Sequence, residues 1–186
     1  MDAGRGARPG SLVLVTGGTR SGKSVFAERL AASHDGPVLY VATAEAGDAE
    51  MAQRIERHRA ARPAGWTTVE AATDLLAAVD SVPATDFLIV DCLTLWVSNL
   101  LGTGRSNEEV LAEADRVATA LGRRRCVILS NEVGLGIVPA NELARRYRDI
   151  LGTVNATFAA AASQTLLMVA GRALPLVSVD RALAAE

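Results

Sequence analysis

Short runs of aliphatic and β-branched residues recur along the chain, with stretches of helical spacing between them. Leu12-Val13-Leu14-Val15-Thr16 is continuous and stops at Gly17, the pattern of a strand buried on both faces. Val38–Val41, Phe87–Asp91 and Cys126–Ser130 repeat it, Trp66–Glu70 reads as a shorter strand, and Thr165–Ala170 as the last core strand. The intervening segments follow the 3.6-residue period. One helix runs from Lys23 through Phe26, Leu30 and Ala31, and the cluster Ser33-His34-Asp35-Gly36-Pro37 ends it. Ala49–Ala61 is amphipathic, with Met51, Ile55 and His58 on one stripe, and stops before Pro63. Thr73 is expected to cap a helix bearing Leu75, Leu76 and Val79, and Asn107 one with Glu108 and Glu109 in its first turn. Thr94–Leu101 is helical, and Asn141 to about Ala162 forms a long helix. Strands alternating with helices predict an α/β fold: a three-layer, mainly parallel sheet with flanking helices. One domain is expected over 12–186, preceded by a flexible leader over 1–11.

Composition narrows the class. At 186 residues, 49% hydrophobic and 22% charged, the chain can build a core, which excludes disorder and a disulfide scaffold. A net charge of -2 argues against a nucleic-acid binder, which would carry a basic surplus. Cys92 and Cys126 sit in apolar runs and read as buried free thiols. The longest apolar runs fall far short of the roughly 20 residues of a membrane span, so a cytoplasmic protein is expected. Among 19 Lys and Arg residues only one, Lys23, is a lysine, and its location matters.

That lysine belongs to Gly17-Gly18-Thr19-Arg20-Ser21-Gly22-Lys23-Ser24, a full match to G-x-x-x-x-G-K-[ST] between a strand and a helix. The glycines let backbone amides approach phosphate oxygens, and the helix N-terminus adds positive potential. Lys23 reaches the outer phosphates, and the Ser24 hydroxyl is suited to Mg²⁺. Asp91, closing the strand Phe87–Val90, is the second candidate for Mg²⁺, against the alternative of a turn or capping aspartate. A nucleoside triphosphate with Mg²⁺ is therefore the expected ligand. An Asn-Lys-x-Asp guanine-reading loop is impossible, because the sole lysine is already used. A small-molecule transferase fits better than a GTPase switch. A plain kinase and a nucleotide-binding regulatory module remain as alternatives.

The second cluster is Arg54-Ile55-Glu56-Arg57-His58-Arg59-Ala60-Ala61-Arg62-Pro63. Arginines grip phosphate oxygens in bidentate fashion, and an imidazole beside them could attack phosphorus to form a phosphoramidate. Two readings of His58 stand at this point: a nucleophile, or a histidine packed on the Met51–Ile55 stripe. His34, the other histidine, is assigned no role.

These residues resemble the bifunctional adenosylcobinamide kinase / adenosylcobinamide-phosphate guanylyltransferase family of cobalamin biosynthesis. The likeness runs from Leu12 to about Ala170. Besides the phosphate loop and the Arg-rich segment, it rests on Tyr40-Val41-Ala42-Thr43-Ala44 and on Asp91-Cys92-Leu93-Thr94-Leu95-Trp96-Val97-Ser98-Asn99-Leu100-Leu101. The most specific stretch is Asn131-Glu132-Val133-Gly134-Leu135-Gly136-Ile137-Val138-Pro139. The resemblance implies a P-loop NTPase fold with a RecA-like sheet, a homotrimer, ATP and GTP as substrates with Mg²⁺, and two reactions. A nucleoside triphosphate phosphorylates adenosylcobinamide, and GTP then guanylylates an enzyme histidine that passes GMP to the phosphorylated corrinoid. By the same resemblance that histidine is His58, and Thr43, Ala44, Glu45, Arg59, Ala60, Ala61, Arg62, Glu70 and Asp91 join the phosphate loop in holding nucleotide. Thr19 stands where the family often has alanine, and Val177–Glu186 lies outside the pattern.

The two reactions cleave at different phosphorus atoms, γ for the kinase and α for guanylyl transfer. One clamp cannot present both at the same spot, so the segment Asp48–Arg62 is expected to move relative to the phosphate loop. Asp91 and Glu132 are candidates for the base that activates the substrate hydroxyl.

Overall fold

The computed structural model describes residues 10–60 and 62–184. Seven strands form one sheet: β1 (Leu12–Gly17), β2 (Val38–Ala42), β3 (Thr67–Glu70), β4 (Phe87–Asp91), β5 (Cys126–Leu129), β6 (Gln164–Val169) and β7 (Arg172–Leu176). Their spatial order is β3-β2-β4-β5-β1-β6-β7. Every pairing is parallel except β6 with β7, so the mainly parallel α/β sheet read from the sequence is present. The helices are α1 (Lys23–Ala32), α2 (Ala49–Ala60), α3 (Leu75–Asp80), α4 (Leu93–Gly102), α5 (Asn107–Gly122), α6 (Glu142–Ala161) and α7 (Val179–Leu183).

The period-2 alternation of the strands sorts their side chains into two cores. Leu12, Leu14, Leu88, Val90 and Ile128 face one way, against Trp96, Val117, Leu151 and Phe158 from α4, α5 and α6. Val13, Val15, Ile89, Val127 and Leu129 face the other way, against Ala27 and Ala31 of α1. Sheet and helices thus make three layers, with both sheet faces covered. α2 and α7 are exceptions: each described side chain of α2 is half-buried or exposed, and α7 buries none.

Three local expectations need correction. Asp74, not Thr73, caps α3, because its carboxylate accepts from the Ala77 amide at 3.3 Å. Ser106, not Asn107, caps α5, in a reciprocal box in which Ser106 Oγ accepts from the Glu109 amide and the Glu109 carboxylate accepts from the Ser106 amide. Asn107 is already helical, and its side-chain oxygen accepts from Arg146 instead. Finally, the last core strand runs over Gln164–Val169 rather than to Ala170, and an exposed strand follows it. The chain reverses at Ala170 (φ 49°) and Gly171 (φ 74°) into β7. Two positive φ values in a two-residue loop match the twist that antiparallel strands need. β7 has no buried face and contains Pro175, which an edge strand tolerates, so it carries no alternation to read.

Candidate active site

The C-terminal ends of the parallel strands meet along one edge of the sheet. By register Glu70, Ala42, Asp91, Leu129 and Val15 stand side by side on β3, β2, β4, β5 and β1. Gly17 follows just beyond Val15. With strands about 4.8 Å apart, Asp91 is roughly 10 Å from β1 and Glu70 about twice that. The edge therefore gathers the phosphate loop and both acidic residues named above, with Glu70 at the far end.

The phosphate loop is held from three directions. Gly17 has φ 142°, and a Cβ there would lie 2.3 Å from the Met168 carbonyl oxygen, so only glycine lets β1 lie against β6 at this point. The Glu132 amide donates to the Gly17 carbonyl at 3.3 Å, and the Gly171 amide to the Ser21 carbonyl at 2.9 Å. Gly22, φ 103°, is the N-cap of α1, with the Gly171 Cα 3.2 Å from where its Cβ would be. Arg20 is also left-handed (φ 57°), and Gly18, Thr19 and Arg20 are exposed. Lys23 curls back so that its ammonium donates to the carbonyls of Gly17 (2.9 Å) and Gly18 (2.8 Å). Burial pulls the Lys23 pKa below its ordinary value, while Cys92 and Asp91 nearby push it up. Ser24 sits half-buried in the first turn of α1. The Ser21 hydroxyl is buried without a partner.

Asp91 is half-buried and accepts a hydrogen bond from the Tyr40 hydroxyl. The Arg62 guanidinium lies over the Tyr40 ring, 3.6 Å from its centroid, and donates to Thr68 Oγ1 at 3.1 Å. Burial first, then the charge and hydrogen bond of Asp91, push the tyrosine pKa far up. The residue after Asp91 is clasped by Thr43. The Thr43 hydroxyl donates to the Cys92 carbonyl (2.8 Å) and accepts from the Cys92 amide (2.7 Å). Thr43 is fully buried, so its hydroxyl is used within the fold. The Asn99 amide nitrogen, on α4, donates to the carbonyls of Thr43 (2.8 Å) and Ala72 (3.0 Å), tying the ends of β2 and β3 together. Burial raises the Cys92 thiol to about 11, and both cysteines are free.

On α2, His58 and Arg59 are exposed in the last turn, as is Ala60. Met51 and Ile55 are half-buried while His58 is not, which removes the reading of His58 as a packed histidine. Ala44 is half-buried and Glu45 exposed in the segment that leads to α2, and Glu70 is exposed. Ala61 and the Arg54 side chain lie outside the described residues. Glu132 sits where β5 ends, its carboxylate accepting from the Gly134 amide at 2.8 Å.

A scan against family models matches residues 13–176 to the cobinamide kinase / cobinamide phosphate guanyltransferase family. The bifunctional adenosylcobalamin biosynthesis protein CobP of Pseudomonas aeruginosa is 45% identical over 166 residues, 88% of this chain and 95% of that protein. CobU of Salmonella typhimurium, with the same description, is 42% identical over 177 residues, 86% of this chain and 96% of its own. CobU of Escherichia coli is 42% identical over 176 residues. The chain belongs to the cobinamide kinase / cobinamide phosphate guanyltransferase family. That family is one of bifunctional enzymes with a P-loop NTPase-like fold, which is the fold and class the resemblance implies.

For this family member, three parts of the site went unassigned in the sequence reading. Tyr40 was placed in a strand with no role, although a tyrosine in an otherwise apolar buried strand signals a hydroxyl that needs a partner. Asn99 looked like one polar position on a helix. The Ala170–Gly171 turn carried no signal, because alanine rarely takes positive φ.

Gly17→Ala is expected to push β1 away from β6. Overpacking of this kind costs roughly 2 kcal/mol. The thermal midpoint should then fall by about 4–8 °C in a chain of this size. GTP affinity should fall with it, as measured by titration calorimetry. An unchanged midpoint and affinity would contradict the packing described for Gly17.

Proposed function

We propose that this chain phosphorylates the aminopropanol hydroxyl of adenosylcobinamide. It then moves GMP from GTP, through His58, onto the phosphate so formed, giving adenosylcobinamide-GDP. The observation that carries this reading is the pairing of a rigid phosphate loop, containing the only lysine, with an exposed histidine on an Arg-rich helix. Membership of a family of kinases and guanyltransferases supports it. A cytoplasmic location fits the biosynthetic role of the relatives. No described helix is long and apolar enough to cross a membrane.

In the kinase step the amides of Gly18–Ser24 and the N-terminus of α1 face the phosphates. Lys23 exchanges two neutral carbonyl acceptors for phosphate oxygens, a stronger charge-assisted contact. Thr19, Arg20, Ser21 and Gly22 complete the cradle. Asp91 or Glu132 takes the proton of the substrate hydroxyl. ATP or GTP donates the γ-phosphoryl group.

Mg²⁺ fits the donor set. Mg²⁺ typically takes one or two protein oxygens and fills its remaining positions with phosphate and water. Ser24 offers a hydroxyl and Asp91 a carboxylate. Among the described residues no group of three His, Cys, Asp or Glu forms a cage able to hold a metal without phosphate. Ser24 and Asp91 would hold the ion, which supplies charge neutralisation on the phosphates.

In the second step the neutral His58 imidazole attacks the α-phosphorus of GTP. A P–N bond forms, the bond to the bridging oxygen breaks, and pyrophosphate leaves with that electron pair. The phosphate of the corrinoid then attacks the same phosphorus, the P–N bond breaks, and the imidazole is restored. Arg59 and Arg62, with the backbone at Ala60 and Ala61, balance the charge. Ala44, Glu45 and Glu70 line the rest of the nucleotide's path, and Thr43, fully buried, fixes the backbone beneath them through Cys92. The scarcity of burial on α2 supports its travel to the phosphate loop with the rest of Asp48–Arg62.

The active form is a homotrimer. Support comes from apolar side chains left in solvent beside the site, with Leu135 84%, Ile137 97% and Val138 61% exposed, and from Val179 and Leu183 in α7. The mass in solution from light scattering should be three times the 19.4 kDa chain mass, and a monomer at all concentrations would contradict this.

Incubation with α-labelled GTP should leave an acid-labile label on the chain. His58→Ala should abolish it, because the imidazole that carries the label is gone. A chain that transfers γ-phosphate to cobinamide but never takes up the α-label is a plain kinase, and the second half of the reading fails.

A further inference from the structure

We propose that Tyr40 is a positioning residue which orients the Asp91 carboxylate for the Mg²⁺–nucleotide complex, and that Arg62 holds Tyr40 in that task. The proposal rests on Asp91 serving that complex, as argued above, and adds two things to it. It gives Tyr40 a function, and it connects the end of the His58 segment to the acidic residue of the phosphate site.

Three neighbouring strands each contribute one polar group to a line across the sheet. Thr68 on β3 is register partner to Tyr40 on β2, and Asp91 on β4 is one strand further. Tyr40 is 4% exposed, so its ring cannot swing into solvent. A buried phenol needs a hydrogen-bond partner, and the partner here is Asp91. A carboxylate has about four acceptor positions, so the bond to Tyr40 occupies one and leaves others for a cation. What the bond fixes is the rotation of the carboxylate, which a lone aspartate at a strand end would leave free.

Arg62 completes the line. Its guanidinium is stacked on the Tyr40 ring and bonded to Thr68, and its Nε is buried with no acceptor. In this arrangement the arginine holds the tyrosine from above and keeps one donor, Nε, without an acceptor. A cation over a ring face is attracted by the ring's electron-rich face, the more so when partly desolvated. Arg62 is four residues from His58 in sequence, beyond the end of α2. A displacement of the His58 segment that lifted Arg62 would loosen Tyr40, and through it the Asp91 carboxylate. Hydrogen-bond partners of metal-binding carboxylates typically contribute 10–100-fold to metal affinity.

The test uses the full-length chain and GTP, with binding followed by calorimetry in EDTA and across a Mg²⁺ series. Tyr40→Phe keeps the ring beneath Arg62 and removes only the hydroxyl. The Mg²⁺ concentration that half-maximally strengthens GTP binding should rise about tenfold, while GTP affinity in EDTA stays as in the unaltered chain. Thr68→Val, a change on an edge strand that frees one side of Arg62, should shift the same midpoint in the same direction by a smaller factor. It also keeps the proposal testable if Tyr40→Phe does not fold. A Mg²⁺ midpoint unmoved in Tyr40→Phe, or an equal loss of affinity with and without Mg²⁺, overturns the proposal. GTP binding by the unaltered chain that ignores Mg²⁺ overturns the metal role of Asp91, and the link with it.

Discussion

The site depends on the fixed backbone of the phosphate loop. Amides bind phosphate strongly only when they are already aimed, since reorienting them on binding would use up the gain. Here the aim comes from outside the loop. Gly17 lies against the Met168 carbonyl with no room for a side chain. The loop after β5 holds the Gly17 carbonyl, and the β6–β7 turn holds that of Ser21. Each brace is a backbone contact, insensitive to side-chain motion. The core beneath is equally committed, with the strands that lead to the site buried almost end to end.

Against this rigid half stands a loosely attached one. α2 buries little, and His58 and its arginines project from its last turn. The division suits a protein that must act at two phosphorus atoms of a triphosphate. In the proposed mechanism the clamp stays still and His58 travels. The exception to the loose attachment is Arg62, seated on Tyr40 and through it on Asp91, which joins the sparsely buried half to the braced one.

Much of this was legible in the residues. The buried strands announced themselves because both-face burial demands unbroken apolar runs, and Lys23 marked the loop because no other lysine competes with it. His58 was less legible. Its arginine neighbours suggest a nucleophile and its spacing a packed stripe; the resemblance to a family favours the first, and its exposure removes the second. What could not be read was set by tertiary contacts. Tyr40 looked like any strand residue until β4 came alongside it. β7 is fully exposed, so it lacks the alternation that burial writes into a strand. Ser106 and Asn107 are both good caps, and the choice fell to Ser106 because Glu109 stands three residues beyond it.

The central claim is that one phosphate loop serves both chemistries. It is tested most directly by following α-label incorporation at His58 in a Lys23→Ala chain beside γ-phosphate transfer by the same protein. Loss of both, with the thermal midpoint kept, is the result this account predicts. Full labelling of His58 with only the γ-transfer lost would mean that the guanylyl donor binds elsewhere, and would contradict it.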